Sequence, residues 1–126
     1  MKNMKNLLTS LLAAATVAAS AFSLASCSSA GAKDLDKVQG KGTLVVGMEC
    51  AYAPYNWAQT TENEYTVRVS DGMYADGYDV QVAKKIAEHL NVTLVIQPLE
   101  WDGLIPALNA NTIDLVIAGM SPTAER

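Results

Sequence analysis

The chain has only two cysteines, one histidine and one phenylalanine among its 126 residues. His89 is the sole histidine and stands far in sequence from both Cys27 and Cys50. No grouping of His, Cys and carboxylates at ligand spacing exists, so neither a metal nor any other cofactor is expected. The same scarcity leaves no adjacent cysteine–histidine couple for nucleophilic chemistry. Basic residues are also few, 9 against 13 acidic, for a formal net charge of −4. Nucleic acid is therefore not expected as a partner, because its phosphates require a basic face.

Long hydrophobic runs are missing except for one. Residues 7–24 carry no charge, follow Lys2 and Lys5, and end in Leu24-Ala25-Ser26-Cys27. A basic start, an apolar stretch and small residues before a cysteine are the parts of a secretory signal cut ahead of a lipid-modified thiol. Residues 1–26 are accordingly expected to be a lipoprotein signal peptide, with the mature chain starting at Cys27. Two acyl chains on that residue suffice for stable anchoring, where one would bind reversibly. Residues 28–31 look like a flexible tether, within a lipid-anchored lead-in over residues 27–42. An uncleaved span over residues 7–25 would be just long enough to cross a bilayer, but it leaves the position of Cys27 unexplained. The expected location is outside the cytoplasm, on the outer face of the cell membrane or in the periplasm. With Cys27 consumed by lipid, Cys50 has no partner for an internal disulfide. It reads as a small semi-buried side chain, with a nucleophile or an intermolecular partner as the alternatives.

The remaining residues are enough for one small domain or one lobe of a larger protein. Residues 33–41 suggest a short helix stopped by Gly40 and Gly42. Residues 43–48, Thr-Leu-Val-Val-Gly-Met, are a β-branched apolar run suited to a strand buried on both faces. A loop over residues 49–57 follows, with Tyr52, Tyr55 and Trp57 concentrated in it. Residues 58–76 are polar and turn-rich, alternate over residues 65–69 and read as an exposed hairpin turning at Ser70-Asp71-Gly72. Val80, Ala83, Ala87 and Leu90 recur at helical spacing over residues 79–90, and Asn91 closes that helix. In it Tyr78 and Val80 are expected in the core, Asp79 at the positive end of the helix dipole, and His89 outward. Residues 92–97 predict a second buried strand ended by Pro98. The next helix is capped by Asp102, with Leu104, Ile105 and Leu108 inward and Pro106 at the edge of its first turn. Asp114 reads as a turn residue, and residues 115–118 as a third buried strand.

Strand, helix, strand, helix, strand implies right-handed crossovers and an α/β fold, a parallel sheet core flanked by helices. Ligands in such sheets bind beyond the carboxyl ends of the strands. Residues 49–57, 99–101 and 119–126 all fall there. Residues 119–126, Gly-Met-Ser-Pro-Thr-Ala-Glu-Arg, leave a strand with small residues, hydroxyls and a proline suited to opening a helix. Such a turn offers N–H groups to an anion, and Arg126 can grip a carboxylate with two parallel hydrogen bonds. An ordinary capped helix start with a solvated arginine fits the same spacing.

Three ordered blocks carry a resemblance. Gly77-Tyr78-Asp79-Val80-Gln81-Val82-Ala83-Lys84-Lys85-Ile86-Ala87, Trp101-Asp102-Gly103-Leu104-Ile105-Pro106-Ala107-Leu108 and the run from Asp114 to Arg126 resemble the family 3 solute-binding proteins of polar amino acid ABC transporters. The similarity extends from Lys37 to Arg126, with Gln81 where an acidic residue is usual. It implies a periplasmic-binding-protein-like (type II) fold. Residues 43–126 would form the first lobe, truncated, with the second lobe missing. It also implies an amino-acid-binding protein rather than an enzyme, with a free amino acid, polar or cationic, and a membrane permease as partners. Carried over, Arg126 and Ser121 bind the ligand α-carboxylate and the Gly119 carbonyl accepts from the α-ammonium. Tyr52 and Trp101 sandwich the ligand side chain, and Glu49 is an acidic pocket residue. Core packing for the two aromatic residues and a solvated loop charge for Glu49 are the alternatives. Ala118 stands where some relatives carry a hydroxyl. The lobe also resembles cyclohexadienyl dehydratase, a regulatory region of some murein transglycosylases, and ligand-sensing modules of receptors. A single lobe is expected to bind weakly or not at all, since closure cannot exclude water.

Overall fold

The computed structural model describes residues 30–124, with side chains from residue 34. The signal peptide, Cys27 and Arg126 lie outside the described residues. Three helices and seven strands are described, in the order α1 (Ala30–Lys41), β1 (Thr43–Met48), β2 (Ala51–Tyr52), β3 (Asn56–Gln59), β4 (Val67–Ser70), β5 (Met73–Asp76), α2 (Tyr78–Leu90), β6 (Thr93–Pro98), α3 (Trp101–Asn109) and β7 (Leu115–Val116). α1 starts at Ala30, inside the stretch expected to be a tether, and runs through Gly40. Gly42 ends it with a left-handed φ of 69°, its N–H donating to the Val38 carbonyl at 3.1 Å.

β1 is the center of a three-stranded parallel sheet of order β6-β1-β7. The register runs Thr43 to Thr93 through Met48 to Pro98 on one side, and Val46 to Leu115 on the other. Leu44, Val46, Gly47 and Met48 are buried while Thr43 and Val45 are half-buried, so one face of the strand is fully covered and the other partly. Leu44, Val46 and Met48 are buried and pack with Val80, Ala83 and Ala87 of α2 and Leu104 of α3. The expected βαβαβ order is thus present, with α2 and α3 as its crossovers.

Six expectations need correction. β6 is an edge strand in which only Ile96 is buried, since an edge position leaves part of an apolar run uncovered. The third strand is two residues, Leu115–Val116, before the chain bends away. Tyr78 is 67% exposed and Ile105 38% exposed, because both fall on the outer side of their helices. Glu100 rather than Asp102 occupies the cap of α3, and Pro106 lies inside the helix beyond its first turn.

Residues 49–76 hold more structure than the sequence suggested. β2, β3, β5 and β4 form a second, antiparallel sheet in that order. The hairpin expected within residues 58–76 is its β4–β5 half, turning at Asp71-Gly72. The expected 49–57 loop is a β2–β3 hairpin whose Tyr55 N–H donates to the Tyr52 carbonyl at 2.9 Å. Its anchor is Asn56, fully buried, which accepts from the Cys50 N–H at 2.8 Å and donates through Nδ2 to Asp79 Oδ2 at 2.8 Å. Asp79 is 3% exposed. The α2 N-terminus adds two bonds, Tyr78 N–H to the Pro54 carbonyl at 3.2 Å and Asp79 N–H to the Tyr55 carbonyl at 2.8 Å. Only glycine fits at 77, where φ is 120° and a Cβ would stand 2.3 Å from the Tyr55 carbonyl oxygen.

At the opposite end of β1, Asp114 does more than turn the chain. Its carboxylate accepts from the Val45 N–H at 2.9 Å and pairs with Lys41, while its own N–H donates to the Val45 carbonyl at 2.8 Å. Burial by itself raises the Asp114 pKa, but Lys41 and the Val45 amide outweigh it and hold the carboxyl below its ordinary range. A folded-state pKa below the unfolded value stabilises the fold above the unfolded pKa of about 3.9, and that contribution is lost as pH falls through the depressed value.

Two predictions follow from these anchors. Asn56→Ala strips the Cys50 amide and the Asp79 carboxylate of a buried partner, and should cost about 3 kcal/mol in urea unfolding. Asp114→Asn should flatten the acid limb of the stability profile below pH 4 or so, leaving the slope near neutrality unchanged.

Candidate functional site

The three parallel strands deliver their chain ends to one edge. Glu49, half-buried, follows β1 directly. Cys50 then adopts a left-handed φ of 57°, and its carbonyl accepts from the Ala58 N–H at 2.8 Å, so the chain turns sharply into β2 and brings Tyr52 back over the sheet edge. Leu99 stays tied to β1 through its N–H to the Met48 carbonyl at 3.0 Å, which sets Trp101 at the head of α3. Beyond β7, Ile117 donates to the Gly47 carbonyl at 3.2 Å. Ala118 is buried at 2% exposure, and the chain emerges at Gly119.

Glu49, Tyr52, Trp101, Gly119 and Ser121 line one cavity of about 310 Å³. These are five of the six residues expected to hold a ligand, drawn from all three strand ends. The sixth, Arg126, lies outside the described residues. Residues 121–123 are irregular and Ala124 turns, so the helix start expected at Pro122 is not found among them. A larger hollow of about 420 Å³ lies on the outer side of α2, between Tyr78, Val82, Ile86 and Leu90. It is almost wholly apolar and away from the strand ends, whereas a ligand site combines apolar walls with convergent polar groups.

Aromatic geometry gives the cavity its wall. Tyr52 is 47% exposed, which rules out core packing for it; Trp101 is half-buried. The Tyr52 and Tyr55 rings stack with centroids 5.1 Å apart and planes inclined by 25°, within the preferred range for offset aromatic pairs. Both rings close on Gly119, where φ is 59° and a Cβ would stand 3.0 Å from Tyr52 Cε1 and 3.4 Å from Tyr55 Cγ. Sequence reasoning noticed Tyr55 among the loop aromatics without assigning it to the site. Its signal was Tyr52-Ala53-Pro54-Tyr55, two rings on either side of a turn proline.

Residues 44–126 match the bacterial extracellular solute-binding proteins, family 3. The chain belongs to this family. Its fold is that of a type II periplasmic-binding-protein domain. The L-cystine-binding protein TcyJ of Escherichia coli (strain K12) is 34% identical over 92 residues, covering 73% of this chain and 30% of that protein. Cyclohexadienyl dehydratase of Pseudomonas aeruginosa is 30% identical over 92 residues, with the same coverage of 73% and 30%. Among solved structures, the arginine-bound form of domain 1 from TmArgBP, the ArgBP of T. maritima, superposes with a TM-score of 0.60 at 35% identity, covering 72% of this chain and 64% of that one. This family 3 chain thus spans about 30% of the length of these two curated relatives.

Cys50 belongs to the buried core, 8% exposed and without a disulfide partner among the described residues. Burial pushes its thiol up to about 11, opposite to the shift an activated nucleophile needs. Cys50 should therefore react with iodoacetamide at pH 8 at least tenfold more slowly in the folded protein than in urea, followed by mass spectrometry. The native rate should keep climbing as pH rises toward 11.

Proposed function

We propose that the intact protein is the lipid-anchored, extracytoplasmic amino-acid-binding component of an ABC uptake transporter. In this reading residues 1–26 direct export and Cys27 carries the lipid. Residues 43–126 belong to the first lobe, and the loaded protein hands its ligand to a membrane permease. The observation that carries the proposal is the convergence of Glu49, Tyr52, Trp101, Gly119 and Ser121 on one cavity at the carboxyl ends of the parallel strands. Family membership and the amino-acid-binding relatives support the same reading.

The chemistry divides the ligand into a constant and a variable half. Arg126 and the Ser121 hydroxyl take the α-carboxylate, and the Gly119 carbonyl accepts from the α-ammonium, so any free amino acid meets the same three groups. Tyr52 and Trp101 hold the side chain between their faces, with Glu49 beside them. Two π faces and a carboxylate suit a polar or cationic side chain. The solved domain 1 of a relative is arginine-bound, which favours a contribution from the first lobe alone greater than the sequence led us to expect.

A dehydratase activity is the second reading, favoured by the similarity to cyclohexadienyl dehydratase. It requires an acid or base in contact with the substrate, and Glu49 is the carboxylate that lines the cavity.

A thermal-shift screen of free amino acids against the intact gene product, with Cys27 replaced for solubility, separates the readings. A ligand at a hundredfold excess over its Kd stabilises the fold by about 2.7 kcal/mol, a clear rise in midpoint. Arg126→Ala should abolish the shift for every amino acid, whereas Trp101→Ala should reorder the preferences among them. Unchanged affinity in Arg126→Ala would refute the carboxylate role. No shift with any amino acid would transfer weight to the dehydratase, to be assayed directly.

A further inference from the structure

Tyr55 does not line the cavity, yet it is the residue through which the cavity's aromatic wall is tied to the rest of the lobe. Its backbone is fixed on both sides. The N–H donates to the Tyr52 carbonyl at 2.9 Å and the carbonyl accepts from the Asp79 N–H at 2.8 Å, while the next residue, Asn56, is fully buried against Asp79. The Tyr52 backbone shares that first bond and pairs with Asn56, but its side chain is left exposed. Tyr52 ends a two-residue strand whose residues are both exposed, and its ring is held by the stack on Tyr55 and by contact with Gly119. A half-exposed ring at the end of so short a strand would otherwise sample several rotamers, and each would present a different face to the cavity.

We propose that Tyr55 is a positioning residue that fixes the Tyr52 ring, so that the stack over bare Gly119 sets which ligand side chains the site prefers. The inference rests on the amino-acid-binding reading above. Tyr55 touches the ligand nowhere in this scheme; it acts through Tyr52. Two consequences distinguish it from a residue that merely stabilises the lobe. Ligands with flat or cationic side chains, which use the Tyr52 face, depend on Tyr55. Alanine and serine, whose side chains are too short to use that face, do not.

The test is calorimetric titration of the intact gene product with arginine, histidine, glutamine, alanine and serine, in the parent, Tyr55→Phe and Tyr55→Leu. Tyr55→Leu keeps much of the apolar volume but removes the ring. It should weaken the long or flat side chains relative to alanine and serine by about two- to tenfold, the range of an aromatic pair, and Tyr55→Phe should restore the parental ratio. An unchanged ratio in Tyr55→Leu, or an equal loss for every ligand, overturns the proposal. So does a shifted ratio that Phe fails to restore. Should the parent bind only ligands of one class, the comparison is made with Tyr52→Ala. Loss in Tyr55→Leu must then match the loss in Tyr52→Ala and must not add to it in the double variant, and additive losses overturn the proposal. If Tyr55→Leu does not fold, Tyr55→His, which keeps a planar ring, replaces Phe, and Tyr55→Met replaces Leu under the same criteria. A parent that binds no amino acid at all defeats the underlying functional reading instead, so the two failures are told apart.

Discussion

The contact between Asn56 and Asp79 is the constraint on which the site end of this lobe depends. It joins residues 23 apart in the chain, in the interior, where an amide and a carboxylate are tolerated only if their hydrogen bonds are made. Asn56 meets the condition by accepting from Cys50 and donating to Asp79. The α2 N-terminus completes the joint by directing its N–H groups at the carbonyls of residues 54 and 55. One polar junction thereby fixes the exit of β1, the β2–β3 hairpin and the start of α2 at once. Everything that overhangs the cavity from the first strand hangs from it.

The central strand is secured differently at its two ends. Near its start the Asp114 carboxylate bridges the β1 backbone and Lys41 with its side chain only 6% exposed. Near its finish the chain is left comparatively open, with Glu49 half-buried and Tyr52 and Tyr55 both more than two-fifths exposed. The polar groups that secure the scaffold are buried, and the aromatic rings at the site end are exposed. That separation is the usual relation between a rigid scaffold and the loops that carry function.

How much could be read from the residues depended on whether their information was local. Thr43–Met48 and Tyr78–Leu90 were legible because burial imposes a period that their own side chains display. The strand-end location of Glu49, Tyr52, Trp101, Gly119 and Ser121 followed from topology and from the family motifs. The β2–β3 half of the second sheet was not legible, because these strands are two and four residues long and Asn56, which anchors them, has its partner in a helix. Tyr78 and Ile105 misled because an apolar side chain says nothing of which side of a helix is covered when neighbours are unknown. Asp114 read as a turn residue because a carboxylate's partner, here Lys41, cannot be seen from spacing.

The stacked tyrosines both stay exposed, Tyr52 at 47% and Tyr55 at 41%. Any molecule that settles against this wall must displace the water there, and the release of apolar hydration carries a negative change in heat capacity. Affinity at this face should therefore be accompanied by a binding enthalpy that grows more favourable on warming. The exposed rings make temperature, as well as chemical complementarity, a variable of recognition.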